Sequence, residues 1–177
     1  MNPQQNAEIQ TPEVRREAFL SRLPQKDQAN LRNISERFKQ TMEAEGRKGA
    51  LVVVGGALNK PLPRKDIDIL IVLQPHPQDV QKNNSTELAY AQEDFKTFQH
   101  IVEKMSDQDP ALQITAIEPA MDEEFESPHI LKSDGSIVVT SNEEGITPIE
   151  FIRMREHGNY QEIAAKGGRP FVTLVHK

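Results

Sequence analysis

Two short apolar runs, Ala50–Val54 and Ile67–Leu73, constrain this chain more than any other feature. Each is too short for a helix and too rich in valine, isoleucine and leucine for a loop, so both are expected to be strands buried in a sheet. The first ends at Gly55-Gly56, and the second opens with Asp66-Ile67-Asp68-Ile69. Side chains alternate along a strand, so Asp66 and Asp68 leave the same face about 7 Å apart along the backbone. Two carboxylates on one face beside a buried sheet repel each other, and a divalent cation between them resolves the repulsion.

The glycines supply the complementary half. Without Cβ atoms, they let the chain turn sharply after the strand and let a ligand approach the backbone. A Gly pair is an ordinary turn in many chains, but its free amides also suit an anion. Ala57-Leu58-Asn59-Lys60 has room for one helical turn before Pro61 and Pro63 stop it. Lys60, Arg64 and Lys65 then place three positive charges between the turn and the paired acids. Anion cradle, cations and metal-binding acids within fourteen residues describe a site for a nucleoside triphosphate with its magnesium.

Val54-Gly55-Gly56, nine intervening residues and Asp66-Ile67-Asp68-Ile69 together resemble the signature of the polymerase-β-like nucleotidyltransferases. The likeness covers Leu51 to Leu73 and extends to the rest of the chain only by architecture. Lys65 stands where that signature most often has serine, and the proline-rich stretch 60–65 departs from the usual helix and loop. The resemblance implies two Mg²⁺ ions held by Asp66, Asp68 and a third carboxylate. It also implies transfer of a nucleotidyl group from a nucleoside triphosphate to a hydroxyl acceptor, with both the attacking and the leaving oxygen stabilised.

The third carboxylate is expected on a strand beside the paired acids. Glu118, at the end of the apolar-alternating segment Leu112–Ile117, is the first choice, as metal ligand or as general base toward the acceptor. Asp122 and Asp134 are weaker choices, since one lies in an acidic stretch and the other in an Asp-Gly pair suited to a turn. A different alignment places Ile137-Val138-Val139-Thr140 on the strand that would carry this acid, and it offers no ligand there. The alternative to an enzyme is therefore a catalytically weak or inactive member of the same fold, acting as a nucleotide-binding or protein-interaction module.

The remaining organisation reads as α+β, a mixed sheet flanked by helices. Residues 1–10 are polar and expected to be a disordered tail, and 11–177 a single domain. Thr11-Pro12 suits a helix start, and Leu31, Ile34, Phe38 and Met42 make an amphipathic stripe that stops at Gly46. Gln74 to Ser85 reads as a polar loop and about Thr86 to Ser106 as a second helix, with Asn84 and Glu87 as its capping box. His129–Lys132, Ser133-Asp134-Gly135 and Ser136–Thr140 read as strand, turn and strand. Thr147-Pro148 reads as the start of a helix through Ala165, ended by Gly167-Gly168, with Phe171–Val175 as a last strand.

Composition narrows the partners. A net charge of −6 and a pI near 5.4 argue against a broadly nucleic-acid-binding surface. The absence of cysteine removes disulfides, zinc–thiolate sites and thiol nucleophiles together. No apolar stretch reaches membrane-spanning length and the polar start lacks a signal-like core, so a cytoplasmic protein is expected. No acceptor-binding domain is evident. The acceptor, whether small molecule, RNA end or protein hydroxyl, would be gripped by this domain, a second copy of the chain or a partner protein.

Overall fold

The computed structural model describes residues 11–59, 65–84, 95–119, 133–154 and 170–177. In chain order these form α1 (Pro12–Leu20), α2 (Gln25–Ala44), β1 (Gly49–Val53), a 3₁₀ turn (Gly55–Leu58), β2 (Ile67–Leu73) and α3 (Pro77–Asn83). There follow α4 (Phe95–Asp107), β3 (Leu112–Pro119), β4 (Ser133–Ser141), β5 (Ile149–Met154) and β6 (Val172–His176). The strands make one mixed sheet in the order β3-β4-β5-β2-β1-β6. Only β2 and β5 pair in parallel; the other neighbours are antiparallel. The fold is α+β, with helices packed on the sheet, as the sequence leads one to expect.

Alternation along β1 and β2 sorts the two faces of the sheet. Leu51, Val53, Ile67, Ile69, Ile71 and Leu73 point into the main core, where they meet Leu31, Ile34, Phe38 and Met42 of α2 and Phe98, Ile101, Val102 and Met105 of α4. The opposite face carries a smaller apolar cluster of Ala50, Val52 and Leu70, with Val54, Val72, Ile152 and Phe171 partly buried around it. Asp66 and Asp68 belong to this second face, since they alternate with the buried isoleucines. The α2 stripe therefore packs as its spacing predicts, and it leaves the other face to the acids.

Thr11 caps α1 as expected, its hydroxyl accepting from Val14 N–H at 3.4 Å, with Pro12 in the first turn. A pair of charges then ties α1 to α2. Arg32 donates through both terminal nitrogens to the Glu17 carboxylate, at 3.2 and 2.6 Å. These hydrogen bonds, with a smaller one from Arg16, hold the Glu17 carboxyl below its ordinary value of 4.5. A carboxyl depressed by folding stabilises the fold above its unfolded value, and that contribution is lost as pH falls through the folded value. Glu17→Gln is therefore expected to melt slightly below the wild type at pH 7 and together with it near pH 3. The difference is small because both side chains are about half exposed, 51% and 46%. An equal deficit at both pH values in thermal scans would remove the ion pair as its cause.

Four local expectations are corrected. The segment taken as a polar loop contains α3, because His76 Nδ1 accepts Gln78 N–H at 3.2 Å as an N-cap and Pro77 supplies a preset first turn. Asn84 ends that helix in the left-handed conformation, φ +50°, instead of starting the next. Ser133-Asp134-Gly135 is not a hairpin turn but the start of β4, with irregular pairing to β5 between Ser133 and Ser136. Gly135 has φ +110°, and a Cβ there would meet the Phe95 ring at 2.5 Å and Glu118 O of the paired strand at 2.8 Å, so this glycine serves a close approach of α4 and β3. Finally, Ile149–Met154 is a strand and not a helix. Residues 1–10, 86–94, 129–132 and 155–169, on which other expectations fell, lie outside the described residues. Among the described residues no helix is long and apolar enough to cross a membrane.

Candidate active site

The site begins with the register of three strands. Val53 lies opposite Ile69 across the antiparallel β1–β2 pair, and Val54 N–H donates to Asp68 O at 3.0 Å. The 3₁₀ turn starts on the next residue, so Gly55 sits directly against the Asp68 side chain. Gly55 has φ +72°, and a Cβ placed on it would overlap Asp68 Oδ2. Only glycine meets both demands, a left-handed backbone and room for the carboxylate. The diglycine bend and the paired acids are thus one structural unit.

On the other side of β2, the parallel strand β5 places Glu150 opposite Asp68. Glu150 alternates with Ile149 and Phe151, which enter the main core, so its carboxylate stands on the acid-bearing face. One oxygen from each of Asp66, Asp68 and Glu150 lies within 4.8 Å of the others, and all three residues are half-buried. Three hard oxygen donors from three carboxylates suit Mg²⁺ or Mn²⁺ and not a soft thiophilic metal. Ligand oxygens on one Mg²⁺ stand about 3.0 Å apart when adjacent and about 4.2 Å when opposed, so these oxygens would draw closer around a shared ion.

Glu150, not Glu118, is the third acid of this group. Glu118 lies on β3, an edge strand, with β4 and β5 between it and β2. Three strand spacings amount to about 14 Å, too far for a common ion. Asp134 lies on β4, which is not a neighbour of β2 either. The alignment that found no acid on the Ile137–Thr140 strand reaches the same dead end, because the neighbour of β2 is β5. The missed signal was the segment Ile149-Glu150-Phe151-Ile152, whose β-branched and aromatic residues match a strand better than a helix stripe.

Gly55 and Gly56 are thus placed at the acids, and Lys65 is exposed immediately before Asp66. Lys60, Arg64 and Asp122 lie outside the described residues. A cavity of about 200 Å³ lies elsewhere, between α2 and the loop before β5, lined by Lys26, Asn30, Asp109 and Glu143 among others. None of the three clustered acids lines it. No protein-family model, curated protein or solved structure matches the chain.

Proposed function

We propose that this chain is a divalent-metal-dependent nucleotidyltransferase of the polymerase-β-like kind, moving a nucleoside monophosphate group from a triphosphate to a hydroxyl acceptor. One observation carries the reading: Asp66, Asp68 and Glu150 converge on one point, and that point touches the Gly55 bend. An acid pair alone is common on solvated strands. An acid pair joined by a third carboxylate from a distant segment, against a glycine that cannot be replaced without a clash, is much rarer by chance.

Mg²⁺ held by the three carboxylates would supply charge neutralisation and Lewis acidity at the transferring phosphoryl group. The chain's own residues do the rest. Asp66, Asp68 and Glu150 fix where positive charge can gather. Gly55 and Gly56 leave the backbone open to the triphosphate, and Lys65 adds positive charge beside the acids. The acceptor oxygen forms its bond to the α-phosphorus as the bond from that phosphorus to the bridging oxygen breaks. Pyrophosphate departs with the electron pair, and the hydroxyl proton passes to a carboxylate of the cluster or to water. The inactive-module alternative drew its motives from an unplaced third acid and the lack of an acceptor domain, and Glu150 answers the first of these.

The test is incubation of the protein with each labelled triphosphate, Mg²⁺ or Mn²⁺, and a cell extract. The expected outcome is a labelled product that chelation abolishes and that Asp66→Asn reduces by at least about a hundredfold. A folded protein that binds Mn²⁺ and triphosphate yet labels nothing would favour the non-catalytic module.

A further inference from the structure

The first turn of α2 carries a carboxylate that the proposed chemistry does not use. Asp27 is 2% exposed. A buried carboxylate is costly unless its lone pairs find donors, and stability alone is a weak reason to keep one. Both oxygens of Asp27 are engaged by one residue. Thr147 N–H donates to Oδ1 at 2.7 Å, and the Thr147 hydroxyl donates to Oδ2 at 3.0 Å. The α2 N-terminus adds a favourable dipole.

The residues after Thr147 lead straight to the acid cluster. Pro148 O accepts the N–H of Ile67 at 2.9 Å, and β5 then begins with Ile149 opposite Ile67 and Glu150 opposite Asp68. Ile67 is the residue between the paired aspartates. Parallel strands have no hairpin turn to fix their register, and a slip of one residue turns every side chain to the other face. Here that slip would carry Glu150 from the acids into the helix-covered core. Lys26 also grips the loop before β5, through the Glu143 carboxylate at 3.2 Å and Glu144 O at 2.7 Å. That hold is exposed and acts farther from β5 than the Asp27–Thr147 bonds.

We infer that Asp27 is a positioning residue: through Thr147 it sets the β2–β5 register that places Glu150 beside Asp68. It thereby sets the affinity of the site for a divalent cation. The second part rests on the metal site proposed above; the first can be read without it.

The experiment uses the full chain and two readouts, amide exchange at Ile67 and Mn²⁺ affinity by titration. In Asp27→Ala, Ile67 is expected to exchange at least about tenfold faster while the amide of Leu51 is unchanged, and Mn²⁺ affinity to fall by at least about tenfold. Asp27→Asn keeps an acceptor for the Thr147 N–H and turns an amide donor to its hydroxyl, so both readouts should stay within about threefold of wild type. Arg37→Ala is the control for plain destabilisation. It loses bonds to Asp109 at 2.8 Å and Met105 O at 3.2 Å, at the end of α4 and not at Thr147, and should lower the melting temperature without moving either readout. If Asp27→Ala does not fold, Thr147→Val removes only the hydroxyl bond and should move both readouts the same way by less. Wild-type exchange at Ile67 in Asp27→Ala and in Thr147→Val overturns the inference, and so does an equal loss of Mn²⁺ affinity in Arg37→Ala. A wild-type protein that binds no Mn²⁺ overturns the metal reading instead, and Ile67 exchange still decides whether Asp27 sets the register.

Discussion

Asp68→Ala is expected to lower nucleotide transfer by at least about a thousandfold while leaving the melting temperature unchanged or slightly higher. The loss follows from removing the central ligand of the cluster, where several kcal/mol of charge stabilisation are at stake and each 1.4 kcal/mol is about a tenfold change in rate. The retained stability follows from electrostatics. Two ionised carboxylates about 5 Å apart repel by about 1 kcal/mol in water and about 3 kcal/mol in a partly desolvated setting. Deleting one of three half-buried acids relieves that repulsion when no cation is bound. The backbone bond from Val54 N–H to Asp68 O does not depend on the side chain and survives the change. Transfer of labelled nucleotide and thermal scans with and without Mg²⁺ check both halves. Wild-type protein should gain stability with Mg²⁺ by mass action, and the variant should not. A variant as folded and as active as wild type would remove the enzymatic reading.

Gly55→Ala is expected to damage both fold and site. A left-handed backbone costs a residue with a Cβ about 1–2 kcal/mol, which in a chain of this size lowers the melting temperature by about 2–8 °C. The larger consequence is local. The new Cβ would overlap Asp68 Oδ2, so the carboxylate must swing away from Asp66 and Glu150, and Mn²⁺ affinity should fall by at least about tenfold. Gly56 has no positive φ, so Gly56→Ala should cost much less stability than its neighbour. Thermal scans and Mn²⁺ titration of the two variants side by side separate these claims. Equal stability of the two alanine variants would show that the bend is not built around Asp68.

What could be read from the sequence followed from how local each signal is. β1, β2 and the α2 stripe carry their periodicity in a few consecutive residues, and the structure has them where the pattern puts them. The paired aspartates and the diglycine bend were legible for the same reason, being joined by one short stretch of chain. Glu150 was not. It reaches Asp68 through a parallel pairing, which leaves no turn signal between the partners, and Thr147-Pro148 looks like a helix start. That threonine is spent on Asp27 instead, an interaction with the far end of the chain that no local rule contains. Asp134-Gly135 misled in the opposite way, since a glycine needed where the Phe95 ring and the β3 backbone crowd the strand looks the same as one needed for a turn. The helix inside Gln74–Ser85 was missed because its cap is His76, and histidine is an uncommon helix cap.

The most direct measurement is Mn²⁺ affinity, by titration calorimetry or electron paramagnetic resonance, for the wild type, Glu150→Gln and Glu118→Gln. The wild type should bind, Glu150→Gln should bind at least about tenfold more weakly, and Glu118→Gln should match the wild type. No binding by the wild type, or a loss in Glu118→Gln with none in Glu150→Gln, would contradict the three-carboxylate centre at the glycine bend.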